Sequence, residues 1–185
     1  PTTTSTMVAL PEIAFSLCRN PAVAVGLPVA LGLASGLVAG EIRHERTGQP
    51  MKTVCPAHPA FSYLWTGMYG LMGYAAHLCV QSFDAAPTPQ GTEDATVGLA
   101  FYYAQLAMSL IWAPLYVGGR MPKLALVDSL VLTTTATAMT VKMHDLNWCS
   151  TSPTWFLAPV CAWLGYTTFL NVQSVLNEEK AKPGH

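Results

Sequence analysis

Residues 64–77 read LWTGMYGLMGYAAH, an apolar run that holds one tryptophan, two tyrosines, three glycines and one histidine. A segment that only anchors a protein in a membrane is built from leucine, isoleucine and valine, so the aromatic and small residues need another explanation. Glycines let neighbouring helices approach closely, and aromatic rings offer a flat surface to a ligand. The run therefore predicts a helix that contacts other helices through its glycines and lines a pocket with its rings.

The composition indicates a membrane protein. Of the 185 residues, 51% are hydrophobic and only 10% are charged, whereas ordinary soluble domains have about 25% charged residues. So few charges cannot cover the surface of a soluble fold, and we expect lipid to cover part of it. The net charge of −1 provides no basic surface and gives no indication of a nucleic-acid partner.

Five apolar stretches recur along the chain between polar breaks. Each is close to the length of about 20 residues that a helix needs to cross a bilayer. Helices are expected because backbone polar groups in lipid must be satisfied within the segment. We predict an all-α membrane protein, a bundle of five transmembrane helices, with spans at about Ala22–Gly40, Phe61–Phe83, Ala95–Val117, Leu124–Met143 and Thr154–Leu176.

The predicted membrane domain covers residues 21–176. Residues 1–20 form a polar N-terminal tail with a short interfacial segment, Met7–Cys18, which is too short to cross the hydrocarbon layer. This region also lacks the basic start and small-residue cleavage site of a secretory signal. Residues 177–185 form a polar C-terminal tail.

The basic residues orient the predicted bundle. Seven of the nine lie on the side reached after spans one, three and five, and only Arg19 and Lys142 lie on the other side. The positive-inside rule places that richer side, and with it the C-terminus, in the cytosol. The seven residues are Arg43, Arg46, Lys52, Arg120, Lys123, Lys180 and Lys182.

Glycines at helical spacing predict where the helices meet. The first span has glycines four residues apart and the second span has them three apart, which places each set on one helix face. Packing alone is the expected role of all six, namely Gly32, Gly36, Gly40, Gly67, Gly70 and Gly73.

Three spans carry a face that mixes aromatic rings with polar groups. Polar groups facing lipid are costly, so these faces should point inward and line a pocket for an apolar ligand. The alternative is that they form a packed core. The faces comprise Trp65, Tyr69 and Met72 in span two; Gln105, Ser109, Trp112 and Tyr116 in span three; and Trp163, Tyr166, Thr167, Leu170 and Asn171 in span five. Trp148 and Trp155, near span ends, are typical interfacial anchors.

Four residues are candidates for acid–base chemistry. His77 lies within an apolar span and could be a proton donor, a haem ligand or a hydrogen-bonded core residue. Glu41 and His44 lie at the predicted cytosolic mouth, where a solvated charge cluster is the default interpretation. Asp128 lies about one turn inside span four, where an unpaired carboxylate is expensive. It could contact a proton or a ligand, or pair with a neighbouring basic residue such as Arg120 or Lys123.

The cysteines indicate neither a disulfide framework nor a metal site. The five cysteines have no pairing pattern. Cys55 and His58 are two possible metal ligands, whereas a structural zinc site needs four. No metal site is predicted.

Several segments together resemble one known family. WTGMYGLMGYAAHL is similar to the WxxLYxxMGYxxxL signature of the TspO/MBR family of translocator and peripheral benzodiazepine receptor proteins. Further matches follow in the family's order, and the resemblance extends from about Asn20 to Asn171. These matches are YYAQLAMSLIWAPLYVGGR in the third span, ALVD in the fourth and APVCAWLGYTTFLN in the fifth.

The resemblance implies a five-helix bundle, a homodimer in the lipid bilayer, and a pocket that opens towards the cytosol. It implies a location in the outer mitochondrial membrane, the endoplasmic reticulum or a bacterial membrane. Family members bind porphyrins, haem and, in many cases, sterols. Trp65 and Trp163 match tryptophans linked to light-dependent porphyrin breakdown in the family, and Arg120 and Asp128 match its residues around the third loop.

The leading functional hypothesis is a membrane receptor or carrier for an apolar small molecule, with porphyrin or haem first and a sterol or isoprenoid second. No cofactor is required, although haem is a possible ligand. The alternatives are a membrane-embedded enzyme of the isomerase or cyclase type, and a scaffold without a working pocket. The predicted ligand-binding residues are Trp65, Tyr69, Gln105, Ser109, Trp112, Trp163, Thr167 and Asn171.

Overall fold

A computed structural model describes residues 10–47, 59–113, 122–146 and 149–181 of the chain. Every regular element in these ranges is a helix, so the predicted all-α class is confirmed for the described residues. The six helices are α1 (Glu12–Arg19), α2 (Pro21–Thr47), α3 (Pro59–Ala85), α4 (Pro89–Ala113), α5 (Pro122–His144) and α6 (Thr154–Ala181).

Proline marks the start of most of these helices. The first residue of α2, α3, α4 and α5 is a proline, which has the right φ angle and lacks an N–H that would go unused there. Asn20 caps α2, because its Oδ1 accepts a hydrogen bond of 2.9 Å from the backbone N–H of Ala22. Thr88 caps α4 by accepting a 3.3 Å hydrogen bond from the N–H of Gly91.

Helices α2 to α6 are 23 to 28 residues long, or about 35–42 Å at 1.5 Å per residue. By length and composition, three of them contain a candidate membrane span, at Pro21–Ala39, Pro89–Trp112 and Lys123–His144. Helices α3 and α6 are as long, but no candidate span is found in their described residues. The count of five spans therefore stays a prediction.

Three helices extend into segments predicted to be loops or tail. Helix α6 continues to Ala181, five residues into the predicted C-terminal tail. Helix α2 continues through the charged residues 41–47, and α4 begins at Pro89, six residues before the predicted start of span three. The predicted interfacial segment is helical from Glu12, and its residues 7–9 lie outside the described ranges. Charged residues do not end a helix by themselves, since they retain good helical propensity once outside the hydrocarbon layer.

Helix α3 lies at the centre of the bundle. It packs against α1, α2, α4 and α6, and every residue from Ala75 to Val80 is buried. The outer helices instead expose large apolar side chains, including Leu33 and Leu37 on α2 and Val127 on α5. A helix that is buried on nearly all sides explains why the segment 64–77 is not a plain lipid anchor.

Contacts between helices define two ends of the bundle. Ser35, in the middle of α2, donates a 2.5 Å hydrogen bond to the carbonyl of Leu110 in the last turn of α4. Cys79 of α3 donates to the carbonyl of Ala95, near the start of α4. We call the end that holds the last turns of α2, α4 and α6 the pocket end, and the opposite end the α1 end.

The closest approach between α2 and α3 occurs at Gly73. A Cβ added there would collide with the carbonyl oxygen of Ala24 and lie 2.9 Å from Cγ of Pro28. Pro28 has no N–H to donate to that carbonyl four residues earlier, so the Ala24 oxygen lacks its helical partner. The backbone of Gly73 packs against this oxygen, which indicates a Cα–H···O contact.

The other glycines differ in how tightly they pack. A Cβ at Gly32 would overlap the ring of Tyr69, and one at Gly70 would make ordinary contacts with α2. Among the described residues, a Cβ at Gly67 would meet nothing within 4 Å, so the predicted packing role is wrong for this residue within that part of the chain. Helical spacing places these glycines on one face but does not say which of them faces another backbone.

We predict that Gly73→Ala destabilises the protein by about 1–3 kcal/mol, because α2 and α3 must separate to admit the methyl group. The matched control is Gly67→Ala on the same helix, which should be neutral or slightly stabilising since alanine is the better helix former. Thermal unfolding in detergent measures both. Equal loss of stability in the two variants would contradict the close approach at Gly73.

Candidate functional site

Three tryptophans from three helices converge near the pocket end. The ring centroids of Trp65 in α3 and Trp112 in α4 lie 5.4 Å apart, and those of Trp65 and Trp163 in α6 lie 6.2 Å apart. Tyr69, one turn along α3, places its ring 5.9 Å from Trp65. We call these four residues the aromatic cluster, and their separations are those of favourable ring pairs.

Tyr69 is held in place from two sides. Its ring lies against Gly32 of α2, and its hydroxyl donates a 3.1 Å hydrogen bond to the backbone carbonyl of Ser109 in α4. Ser109 in turn donates its own hydroxyl to the carbonyl of Gln105 at 2.7 Å. Both hydroxyls are therefore satisfied by backbone, which leaves the walls of the site largely apolar.

Gln105 lies beside the cluster with a side-chain oxygen that is not satisfied. Its side chain is 1% exposed, and among the described residues its Oε1 has no hydrogen-bond partner. The side chain of Asn171 is also 1% exposed, and its Nδ2 likewise has no hydrogen-bond partner among the described residues. A buried amide without a partner costs free energy, and such a cost is expected where a ligand supplies the missing partner.

A small internal cavity lies between the aromatic cluster and the Gln105 side chain. Its volume is about 10 Å³, roughly the space of one water molecule. Pockets for drug-sized ligands measure about 300–1,000 Å³. The site is therefore closed, and its walls are formed by Trp65, Met68, Tyr69, Met72, Gln105, Ser109, Val160 and Leu164.

The structure brings together most of the residues that the sequence singled out. Of the eight predicted ligand-binding residues, four line the cavity and Trp112 and Trp163 contact Trp65 behind its wall. Thr167 and Asn171 are buried on α6 but do not line the cavity, and the hydroxyl of Thr167 donates to its own helix at the carbonyl of Leu164.

Helix α6 is rotated relative to the predicted inward face. Tyr166 was expected to point inward, but it is 52% exposed. The buried positions are instead spaced by three and four residues along Leu157, Val160, Leu164, Thr167 and Asn171. The spacing of three and four residues is present in the sequence and marks Val160 and Leu164 as inward-facing, whereas the positions of the aromatic residues alone do not.

His77 lies away from this site, at the α1 end, and both of its ring nitrogens have partners. Nδ1 donates a 2.8 Å hydrogen bond to the carbonyl of Cys18, in the last turn of α1, and Nε2 accepts one of 3.0 Å from Gln81. A carbonyl in the last turn of a helix has no intrahelical donor, so His77 caps α1 from α3. Its ring is 7% exposed.

Other contacts hold α1 at the same place. Arg19 makes a bidentate ion pair with Asp84 at 2.9 and 3.0 Å and a second pair with Glu12 at 3.0 Å. The hydrogen bonds to Asp84, then those to Glu12, raise the pKa of Arg19 further above its already high value. Burial raises the pKa of the Cys18 thiol, and Tyr103 donates to the carbonyl of Ala14 at 2.7 Å.

The remaining acid–base candidates do not join His77. Glu41 and His44 are exposed in the last turns of α2, about 30 Å along that helix from its start near Cys18. Asp128 is partly buried near the start of α5, and its Oδ2 has no hydrogen-bond partner among the described residues. The four candidates are thus divided between the two ends of the bundle.

Several predicted residues lie outside the described ranges, namely Cys55, His58, Tyr116, Arg120, Trp148, Lys52 and Lys182. The described residues contain no group of three or more histidine, cysteine or acidic side chains that could hold a metal ion. The four described cysteines, at positions 18, 79, 149 and 161, are free thiols.

We predict that His77→Ala lowers stability by about 1–3 kcal/mol, because the Cys18 carbonyl loses its donor in a buried position. The matched control is Gln81→Ala, which removes only the more exposed partner of the same ring and should cost less. Thermal unfolding measures the loss of stability. A His77→Ala variant as stable as the original protein would contradict the capping role.

Comparison with known proteins identifies the family. The TspO/MBR family model matches residues 24–176. The Translocator protein of Homo sapiens is 34% identical over 153 residues, covering 82% of this chain and 86% of that protein. The Translocator protein homolog of Schizosaccharomyces pombe is 34% identical over 164 residues, covering 87% and 93% respectively. The Translocator protein of Sus scrofa is 34% identical over 155 residues, covering 82% and 86%. With its apolar helices and the match across nearly the whole helical bundle, the chain belongs to the TspO/MBR family of integral membrane proteins.

Proposed function

We propose that the protein is a membrane receptor or carrier for an apolar small molecule, which it binds at the aromatic cluster. The single observation that carries this proposal is the convergence of Trp65, Trp112 and Trp163 from three helices beside the unpartnered Oε1 of Gln105. Flat aromatic surface with few polar groups is typical of sites for apolar ligands. A packed core would not need to leave a buried amide oxygen without a donor.

The ligand class follows from these groups. Tilted and edge-on rings provide stacking surface for a flat conjugated molecule, so a porphyrin or haem is the first candidate. The Gln105 oxygen would accept a hydrogen bond from a protonated propionic acid group at the edge of a porphyrin or haem. A sterol or isoprenoid alcohol is the second candidate, since its hydroxyl could donate in the same way.

Binding of such a ligand requires the site to open. The cavity of about 10 Å³ admits neither a porphyrin nor a sterol, so the rings of the cluster must rotate or α6 must move away from α3. Met68 and Met72 in the cavity wall can adapt to a new shape because their side chains are flexible. The free energy needed for opening reduces the observed affinity of the closed protein.

The described geometry lends no support to the enzyme alternative. Acid–base catalysis needs groups within hydrogen-bond reach of one reacting centre. His77 is occupied by Cys18 and Gln81 at the α1 end, while Glu41, His44 and Asp128 lie towards the pocket end. We therefore propose a structural role for His77. We propose that a porphyrin would be recognised by stacking on the aromatic rings.

The orientation and assembly form part of the same proposal. Lys123 and Lys180 lie at the pocket end, with Arg19 and Lys142 at the other, so the positive-inside rule places the pocket end and the C-terminus in the cytosol. Following the family resemblance, we propose a homodimer in the outer mitochondrial membrane or endoplasmic reticulum of a eukaryotic cell. Light scattering of the purified protein measures the dimer.

We predict that Trp163→Ala and Trp65→Ala each weaken binding of protoporphyrin IX about 10- to 100-fold, because each removes a stacking surface. The matched control is Trp155→Ala, since Trp155 is 77% exposed at the start of α6 and outside the cluster. Quenching of tryptophan fluorescence and the shift of the porphyrin absorption band measure the affinity.

Two results would overturn the receptor proposal. One is a protein of native stability that binds neither protoporphyrin IX, haemin nor cholesterol. The other is binding that Trp155→Ala weakens as much as Trp163→Ala does, because the cluster would then not be the site. Selective loss of cholesterol binding alone would support the site and reverse the order of the two ligand classes.

We predict that Lys180→Cys reacts with a membrane-impermeant maleimide in sealed vesicles whose cytosolic face points outward, and that Ser150→Cys reacts only after detergent is added. Both variants are made with Cys55 and Cys149 replaced by serine. Lys180 and Ser150 are exposed at opposite ends of the bundle. The reverse labelling pattern would contradict the proposed orientation.

A further inference from the structure

A groove of about 550 Å³ runs along the outer surface between α4 and α5. These two helices are among the three that contain candidate membrane spans, so the groove opens towards the hydrocarbon layer. It lies outside the aromatic cluster and shares no residue with the cavity there. Its walls are formed by Phe101, Thr133, Thr134, Thr137, Ala138, Val141 and Lys142.

The groove is apolar although three of its seven residues are threonines. Each of these threonines donates its hydroxyl to the backbone carbonyl four residues earlier on α5, at 2.8 or 2.9 Å. A hydroxyl bound in this way uses its proton within its own helix, and that of Thr133 also lies 2.9 Å from the Thr168 hydroxyl on α6. Methyl groups together with Phe101, Ala138 and Val141 are left to contact whatever fills the groove.

An ion pair closes the groove at the α1 end. The ammonium of Lys142 lies 3.4 Å from Oδ1 of Asp94 on α4, a long separation, and the two side chains are 47% and 30% exposed. Lys142 lies in the last turn of α5, where an apolar span meets the headgroup region. The positive side chain of Lys142 and the negative side chain of Asp94 therefore lie side by side at one end of the apolar groove.

The charge around this mouth selects between lipid headgroups. The α1 end carries two basic residues, Arg19 and Lys142, against five acidic residues. Arg19 is already engaged by two carboxylates. This surplus of negative charge repels an anionic headgroup but tolerates one that also carries an ammonium group. The five acidic residues are Glu12, Asp84, Glu93, Asp94 and Asp145.

We propose that the groove is a binding site for a zwitterionic phospholipid. The phosphate pairs with Lys142, the headgroup ammonium pairs with Asp94, and one acyl chain lies along α5 from Val141 towards Thr133. The groove thus accounts for both the apolar surface and the exposed ion pair at its end. This inference does not rest on the proposed receptor function.

The test is a titration of the full-length protein in mild detergent with three lipids, monitored by native mass spectrometry. The probes are dioleoylphosphatidylcholine, dioleoylphosphatidylglycerol and cholesterol. We expect one phosphatidylcholine per chain to bind at least tenfold more tightly than phosphatidylglycerol. Lys142→Gln should weaken phosphatidylcholine binding about tenfold, while Lys180→Gln at the other end of the bundle should leave it unchanged.

A second pair of variants tests the acyl-chain site. Ala138→Trp fills the groove and should abolish the bound phosphatidylcholine, whereas Val127→Trp, on an exposed position of α5 outside the groove, should not. Thermal unfolding shows whether both variants are folded. If Ala138→Trp does not fold, the loss of phosphatidylcholine binding in Lys142→Gln and Asp94→Asn tests the proposal through the headgroup contacts.

Three outcomes would overturn the proposal. The first is phosphatidylglycerol binding as tightly as phosphatidylcholine, which would leave no role for Asp94. The second is a preference for cholesterol that Lys142→Gln does not alter. The third is conversion of a dimer to a monomer by Ala138→Trp with lipid retained, which would assign the groove to a second copy of the chain.

Discussion

The contact between the backbone of Gly73 and the carbonyl of Ala24 is the constraint on which the rest of the bundle depends. Pro28 deprives that carbonyl of its helical donor, and the absence of a side chain at Gly73 allows α3 to approach it. One turn earlier on α3, the same close spacing presses Tyr69 against Gly32. The hydrogen bond from Tyr69 to Ser109 then fixes α4 relative to both helices.

Helix α3 serves two different purposes along its length. Towards the pocket end it supplies Trp65 and Tyr69, whose rings meet aromatic residues of α4 and α6. Towards the α1 end it supplies His77, which caps α1, and Asp84, which pairs with Arg19. The segment between them, in which Met72, Gly73, Ala75 and Ala76 are buried, connects a site suited to ligands with a structural junction.

Most polar side chains in the helices follow one rule, which is that they bond to the backbone of their own helix. Most hydroxyls of α5 bond to their own backbone, and Thr133 and Thr168 also join α5 to α6 at 2.9 Å. Among the described residues, the Gln105 oxygen breaks the rule and lies in the cavity wall, whereas the buried Ser82 hydroxyl breaks it away from the cavity. In an apolar environment an unmet hydrogen bond is expensive, so the Gln105 oxygen beside the aromatic cluster is the exception that bears on the proposed site.

The sequence by itself determined the helical class, the approximate helix positions and the family, because length and hydropathy limit what can cross a bilayer and the motif WTGMYGLMGYAAHL is specific. It also selected Trp65, Tyr69, Gln105 and Ser109, since aromatic and polar residues at helical spacing are unusual in a lipid-facing helix. Only the tertiary structure decided which glycine of α3 meets a backbone, that Tyr166 points outward and that His77 caps α1. These properties depend on the rotation of each helix and on contacts between residues about 60 positions apart, such as Cys18 and His77, which periodicity within one segment does not encode.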